Sequence, residues 1–120
     1  MSSSFRDLRV WQESIELTAE IYRETAGFPR HEIYGLTQQI RRAAVSVPSN
    51  IAEGKGHRSD KEFLHFLFHA RGSLLELQTQ LVIADRLRYL SETGHELSTM
   101  AEGVGRALSG LIASLERKVA

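Results

Sequence analysis

Residues 63–84 read FLHFLFHARGSLLELQTQLVIA, which carries a long apolar stripe. Its apolar side chains recur at alternating steps of three and four, the spacing that puts them on one face of an α-helix. Just upstream, Ser59 and Glu62 have the spacing of a capping box, which predicts that the helix begins there and continues to Tyr89 or Leu90. The predicted core stripe consists of Phe63, Phe66, Leu67, Ala70, Leu74, Leu77, Leu81 and Ala84.

Toward the N-terminus, residues 6–26 predict a first amphipathic helix. It ends at Gly27–Pro29, because glycine suits the residue after a helix and proline cannot extend the preceding turn. The helix carries two apolar rows about 110° apart. The main row, expected to face the core, is Leu8, Trp11, Ile15, Thr18 and Tyr22, and the second row is Val10, Leu17 and Ile21.

The second predicted helix runs from Glu32 to about Gly54, and a proline lies inside it. Pro48 has no backbone N–H, so the carbonyl of Ala44 loses its helical partner. We expect a kink at which Ser46 or Ser49 bonds the freed groups. The alternative is two short helices, which the unbroken apolar phase disfavours. The predicted core row is Ile33, Leu36, Ile40, Ala44, Val47 and Ile51.

A fourth helix is predicted to open at a second capping-box spacing, from Thr93 to Glu96. No segment alternates with a period of two, which argues against strands. Four amphipathic helices joined by short turns predict an all-α fold, an antiparallel up-down-up-down four-helix bundle. We expect one domain over residues 1–120, with residues 1–4 frayed. The apolar positions of the last helix are Leu97, Met100, Val104, Leu108, Leu111 and Leu115.

The composition excludes several classes of protein. A chain of 120 residues without cysteine is one domain with no disulfide scaffold, thiol nucleophile or thiolate zinc site. The longest apolar run, residues 81–84, is too short to cross a bilayer. Fifteen basic residues balance fifteen acidic ones, which removes the usual compositional argument for nucleic-acid binding. Because the start lacks a signal-peptide pattern, we expect a cytoplasmic protein with no membrane partner.

The third helix carries more apolar surface than a single bundle needs. A second row lies about 100° from its core stripe. Two rows that contain phenylalanine are hard to bury in one small domain, so this row predicts a subunit interface. A wide internal core face is the alternative. The residues of the predicted interface are Leu64, Phe68, Leu75 and Val82.

A continuous polar row runs along the second helix beside its core row. One hypothesis makes Glu53 a general base and Arg42 an anion clamp, but no nucleophile stands at a matching spacing. We favour a structural hydrogen-bonded network, shared with Ser73 and Glu76 of the third helix, and we predict no enzymatic activity. The network residues are Gln39, Arg42, Ser46, Asn50 and Glu53.

Two Glu-x-x-His steps, Glu62 to His65 and Glu92 to His95, match the spacing found in di-metal bundles. They open different helices thirty residues apart, which at 1.5 Å per residue separates them by about 45 Å. They cannot share a metal pair. His65 and His69 could form a surface site at most, and a solvated pair is favoured. We therefore predict no metal site and no cofactor.

A basic turn joins the second and third helices. Residues 30–58 carry five basic and two acidic side chains, and the turn adds exposed glycine amides that suit a phosphate. Contact with nucleic acid would then run through backbone charge, because the sequence shows no aromatic platform beside the turn. The predicted contact residues are Arg41, Lys55, His57, Arg58 and Lys61.

The block QIRRAAVSVPSNIAEG over residues 39–54, with FRDLRVWQ at 5–12, Phe28-Pro29 and EIYGL at 32–36, resembles one bacterial family. This four-helix-bundle family was first noticed as reading frames in the intervening sequences of 23S ribosomal RNA genes. Phe63, Ala70, Gly72-Ser73 and Glu76 extend the resemblance into the third helix, and it covers about residues 5–115.

The resemblance implies a small cytosolic bundle that assembles as a homopentamer and has no established enzymatic activity. It also implies kinship with the accessory variability proteins of diversity-generating retroelements, which are pentameric, strongly basic and bind nucleic acid; this chain differs in its zero net charge. We expect a self-associating bundle with a nucleic-acid or ribonucleoprotein accessory role. The competing class is a bundle that binds a small ligand or metal in a channel formed by assembly.

Overall fold

A computed structural model of the chain describes residues 4–120, and all of its regular elements are helical. The four long helices are α1 (Arg9–Thr25), α2 (Leu36–Lys55), α3 (Asp60–Arg86) and α4 (Glu96–Val119). Each helix packs against the next one along the chain, and α1 also packs against α4, which closes an antiparallel bundle of 46 × 22 × 21 Å. The predicted four-helix bundle is confirmed. Within residues 4–120, none of the helices combines the length and hydropathy that crossing a bilayer requires.

Helix α3 buries its predicted core stripe except for Phe66, which is half-buried, and it starts where the sequence indicates. The hydroxyl of Ser59 accepts a hydrogen bond from the backbone N–H of Glu62 at 3.1 Å, as an N-cap does. The helix ends at Arg86, three residues before the earliest predicted end. Arg88 takes the left-handed conformation, with φ at 62°, and the N–H of Tyr89 bonds back to the carbonyl of Ala84. This bond closes a Schellman-type C-terminus.

Helix α1 buries the row that the sequence ranked second. Ile15 and Tyr22 of the predicted main row are 38% and 42% exposed. Ser14 and Thr25 complete the buried row because their hydroxyls donate to the carbonyls of Trp11 and Ile21, at 2.8 and 2.7 Å. A hydroxyl bonded within its own helix can be buried at little cost. The row facing the core is Val10, Ser14, Leu17, Ile21 and Thr25.

Helix α2 is continuous through Pro48, so the single-helix interpretation is confirmed. The helix starts later than predicted, because Arg30–Glu32 form a separate 3-10 turn and Ile33 is left 54% exposed. The expectation that Ser46 or Ser49 bonds the carbonyl of Ala44 is wrong. That carbonyl accepts instead from the hydroxyl of Thr18 on α1, at 3.1 Å.

The ends of the bundle also differ from expectation. Thr93 does not cap α4, which starts at Glu96 without a side-chain cap. In the turn before α4, the carboxylate of Glu24 accepts hydrogen bonds from the backbone N–H and the hydroxyl of Ser91. Ser4 caps the short turn Phe5–Asp7, and the other residues predicted to be frayed lie outside the described residues. The residues of α4 that face the core are Leu97, Ala101, Val104, Leu108, Ile112 and Leu115.

Candidate interaction surfaces

The polar row of α2 forms a smaller network than predicted. The hydroxyls of Ser46 and Ser73 lie 2.8 Å apart and link α2 to α3. The amide nitrogen of Asn50 donates to the carbonyl and the hydroxyl of Ser46, at 2.8 and 3.0 Å. Gln39, Arg42 and Glu53 are exposed, and within residues 4–120 their side chains make no hydrogen bond or ion pair. Exposed side chains gain little from pairing in water, which is why the row does not close.

A shallow hollow of about 290 Å³ lies over this network. It is lined by Gln39, Arg42, Ala43, Ser46, Ser73 and Glu76. Within the described chain, neither serine hydroxyl is hydrogen-bonded to a histidine or a carboxylate. A serine nucleophile requires such a base. Glu53, the general base of the catalytic hypothesis, does not line the hollow.

The turn between α2 and α3 is exposed and basic. Arg58 and Lys61 point into solvent, and the ammonium of Lys55 lies 5.7 Å from the centre of the Phe63 ring. The imidazole of His57 stacks on Phe66 at 4.9 Å between ring centres. The expectation that no aromatic group adjoins the turn is wrong. Phe66 is predicted only as a core residue, but it is half-buried, and the face of its ring meets His57 of the turn.

Arg41 does not belong to this basic turn. It lies fourteen residues before Lys55 on the same helix, a distance of about 21 Å. Its guanidinium donates to the hydroxyl of Thr25 at 2.8 Å and lies over the Tyr22 ring at 4.6 Å. Arg41 therefore ties α2 to α1, because the burial of Thr25 places a hydroxyl within its reach.

A groove of about 600 Å³, which the sequence pattern does not indicate, lies between α1 and α2. Tyr34 stands at its rim and is 89% exposed. The hydroxyl of Thr37 is buried beneath it, with no hydrogen-bond partner in the described chain. Exposed aromatic residues outside the helix-forming pattern, such as Tyr34, are the sequence signal that could have indicated this surface. The groove is lined by Tyr22, Ile33, Tyr34, Thr37, Gln38, Arg41, Arg42, Val45 and Ser46.

The outer face of α3 carries three exposed apolar side chains at seven-residue spacing. Phe68, Leu75 and Val82 are 40%, 58% and 54% exposed. Leu64, predicted to continue this row, is instead 6% exposed and belongs to the core. One turn before Leu64, Asp60 forms an ion pair with Lys118 at 3.2 Å, which places the end of α4 next to the start of α3.

Metal-ligating side chains do not gather into a closed site. Among residues 4–120, no group of three or more His, Asp or Glu side chains is close enough to hold a metal ion. The two Glu-x-x-His steps lie at opposite ends of the bundle, since one follows Ser59 and the other precedes α4. Two pairs of such side chains in the described chain are in contact: His95 with Asp85, at 2.8 Å between Nε2 and Oδ1, and His65 with His69, at 3.3 Å between the two Nε2 atoms.

Comparison with known proteins gives the chain its family. No functionally curated protein matches it significantly. A crystal structure of a protein of unknown function from the S23 ribosomal protein family of Bacteroides thetaiotaomicron superposes with a TM-score of 0.78 at 21% identity, covering 86% of this chain and 97% of that one. The family model described as 23S rRNA-intervening sequence protein matches residues 6–110. The chain therefore belongs to the family of 23S rRNA-intervening sequence proteins.

Proposed function

We propose that this protein is a non-enzymatic, cytoplasmic scaffold whose working form is a homo-oligomer. The observation that carries the proposal is the exposed row Phe68, Leu75 and Val82 on α3. Seven-residue spacing keeps the three side chains on one line along the helix. When a second copy of the chain covers such a row, apolar surface is removed from water, which lowers the free energy.

Five subunits are the proposed number, and this number rests on the family resemblance. The row lies on the side of α3 away from α2, whereas the groove beside Tyr34 lies between α1 and α2. With two different apolar surfaces on one chain, the row of one subunit can pack into the groove of the next in a head-to-tail contact. Repetition of such a contact around an axis closes a ring.

The test replaces Leu75 with glutamate. A charge placed in a subunit contact costs several kcal/mol, whereas on an exposed position of a monomer it costs little. In size-exclusion chromatography, Leu75→Glu should therefore elute later than the parent, as a smaller species. Its circular dichroism spectrum should remain helical. Val119→Glu is the matched control, because Val119 is 46% exposed and lies off the row. If both variants keep the parent's elution volume, the row is not the contact.

Contact with the phosphate backbone of a nucleic acid is a second proposed function. Within the described chain, Lys55, Arg58 and Lys61 form no ion pair, so their charges are free for an anionic partner. An oligomer would repeat this turn in every subunit, and the repeated charge would sum to a stronger field. His57 stacked on Phe66 adds one flat ring beside the charges.

A salt titration with duplex DNA and structured RNA tests this second function. Affinity should fall steeply with salt, and each lost contact should flatten the slope of log affinity against log salt by about one unit. The variant Lys55→Glu/Arg58→Glu should bind weakly. Arg41→Glu is the control, because Arg41 contacts α1 and does not belong to the turn. This variant should leave the slope of log affinity against log salt unchanged. Binding that is absent at low salt, or unchanged by the charge reversal, would contradict the proposal.

A further inference from the structure

A histidine pair on α3 plays no part in the surfaces above. His65 and His69 lie one helical turn apart, both exposed, and their Nε2 atoms face each other at 3.3 Å. The ring of Phe66 packs edge to face against His65, at 5.7 Å between centres, and lies 6.4 Å from His69. These aromatic contacts limit the rotation of both imidazoles. Two ring nitrogens are thus held in a fixed relation at the protein surface.

The distance between the two Nε2 atoms can be compared with the distance between two ligands of one metal ion. Zinc binds imidazole nitrogen at about 2.0–2.1 Å with tetrahedral angles, so two nitrogens on one zinc ion stand about 3.3–3.4 Å apart. Right angles at the same bond length, as in square-planar or octahedral geometry, would require about 2.9 Å. The observed 3.3 Å is the length of a hydrogen bond between the two rings, and it also matches the edge of the zinc tetrahedron.

Protonation is compatible with metal binding at both rings. Within residues 4–120, neither Nδ1 atom is hydrogen-bonded to protein, so water can accept a hydrogen bond from the Nδ1–H of each imidazole. With both protons on Nδ1, each Nε2 has a lone pair available for a metal ion, which then takes the place of the hydrogen bond between the rings. Two neutral imidazoles are the ligands that borderline-soft divalent metals prefer.

We propose that His65 and His69 form a two-ligand site for Zn²⁺ or a similar divalent transition-metal ion, with water in the remaining positions. The site is open, because no third His, Asp or Glu side chain of the described chain joins it. It should therefore bind more weakly than a four-ligand structural site, and the fold should not depend on it.

Isothermal titration of the untagged full chain with zinc chloride tests the proposal. We expect one ion per chain, with affinity reduced about tenfold or more in His65→Ala and in His69→Ala. His31→Ala is the matched control, since His31 is an exposed histidine at the other end of the bundle. His69→Cys keeps a donor at the same position and should retain zinc binding, which a purely structural effect would not do.

Two results would overturn the site. One is a parent protein that takes up no zinc at millimolar concentration. The other is a loss of affinity in His31→Ala as large as that in His65→Ala. Circular dichroism of each variant checks that the helices remain, as expected for exposed side chains.

Discussion

The hydroxyl of Thr18 lies 3.1 Å from the carbonyl oxygen of Ala44, the carbonyl that Pro48 leaves without a helical donor. The same hydroxyl lies 2.8 Å from the carbonyl of Ser14, so one proton serves two acceptors. A residue of α1 thus stabilises the proline inside α2. This contact explains how α2 stays continuous although it contains a residue that breaks most helices.

Replacing Thr18 with valine should lower the free energy of unfolding by about 1–2 kcal/mol, because a buried carbonyl is left without a donor. Urea denaturation measures the loss. Thr79→Val is the control, since the hydroxyl of Thr79 is exposed and bonds only within its own helix, to the carbonyl of Leu75. In a Pro48→Ala background, which restores the backbone donor, Thr18→Val should cost less. Equal costs in both backgrounds would refute the link between Thr18 and Pro48.

Replacing Asn50 with alanine should cost about 1 kcal/mol, at the low end for a buried hydrogen bond. The cost is small because Ser46 keeps its contact with Ser73 after the amide is removed. Gln39→Ala should be neutral within about 0.5 kcal/mol, since Gln39 is exposed. Thermal melting of the two variants measures the difference. A loss in Gln39→Ala as large as in Asn50→Ala would show that the longer network predicted from sequence exists in solution.

Gly54 allows α2 and α3 to approach closely. A Cβ atom at this position would stand 2.6 Å from the Cβ of Phe66 and 3.0 Å from a ring carbon of Phe63, so Gly54→Ala must push the helices apart. We expect a loss of about 1–3 kcal/mol. Gly110→Ala meets no atom within 4 Å and should stabilise α4 by about 0.5–1 kcal/mol. Denaturation curves in which both variants shift in the same direction would contradict this account.

Stability should depend on pH through Glu32 and Tyr89. The backbone N–H of Leu36 and the hydroxyl of Tyr89 donate to the Glu32 carboxylate, at 3.1 and 2.9 Å, and lower its pKa. The same carboxylate raises the pKa of Tyr89. The Glu32 contribution is therefore present above its ordinary pKa, about 4.3, and is lost as pH falls through the lowered value. The Tyr89 contribution is present below about pH 10 and is lost as pH rises through the raised value.

Free energies of unfolding across a pH series measure both effects. Glu32→Gln should flatten the acid side of the stability curve, and Tyr89→Phe should flatten the alkaline side. Tyr34→Phe is the matched control, because Tyr34 is 89% exposed. If Tyr34→Phe and Tyr89→Phe alter the alkaline side equally, the assignment to Tyr89 fails.

Hydrophobic periodicity predicted the core face of a helix where the buried residues are mostly apolar, and it failed where polar residues are buried. The predicted stripe of α3 is wholly apolar, and all of its residues are buried except the half-buried Phe66; the pattern did not indicate that Gln80 is buried as well. In α1 the pattern chose the wrong row, because Ser14 and Thr25 count as polar although their hydroxyls bond within the helix. The start of α2 was misplaced because an isolated apolar residue, Ile33, extended the period into a 3-10 turn.

The candidate sites were harder to predict, because the pattern of one helix does not show which side chains of other helices contact it. Ser46 and Asn50 were grouped correctly, since residues four apart on one helix are neighbours. Arg41 was assigned to the basic turn by local charge, whereas its actual partners, Tyr22 and Thr25, come from another helix. Leu64 was assigned to an exposed row because the helical wheel does not show where a neighbouring helix ends.

Sedimentation equilibrium of the purified chain at micromolar concentration measures its mass in solution and so shows whether the chain self-associates. The claim that Phe68, Leu75 and Val82 form a subunit contact predicts a discrete oligomer, and the family resemblance sets its mass at five times 13.5 kDa. Leu75→Glu should shift the equilibrium toward the monomer, while Val119→Glu should not. A parent chain that sediments as a stable 13.5 kDa monomer would contradict the proposal of a self-associating scaffold.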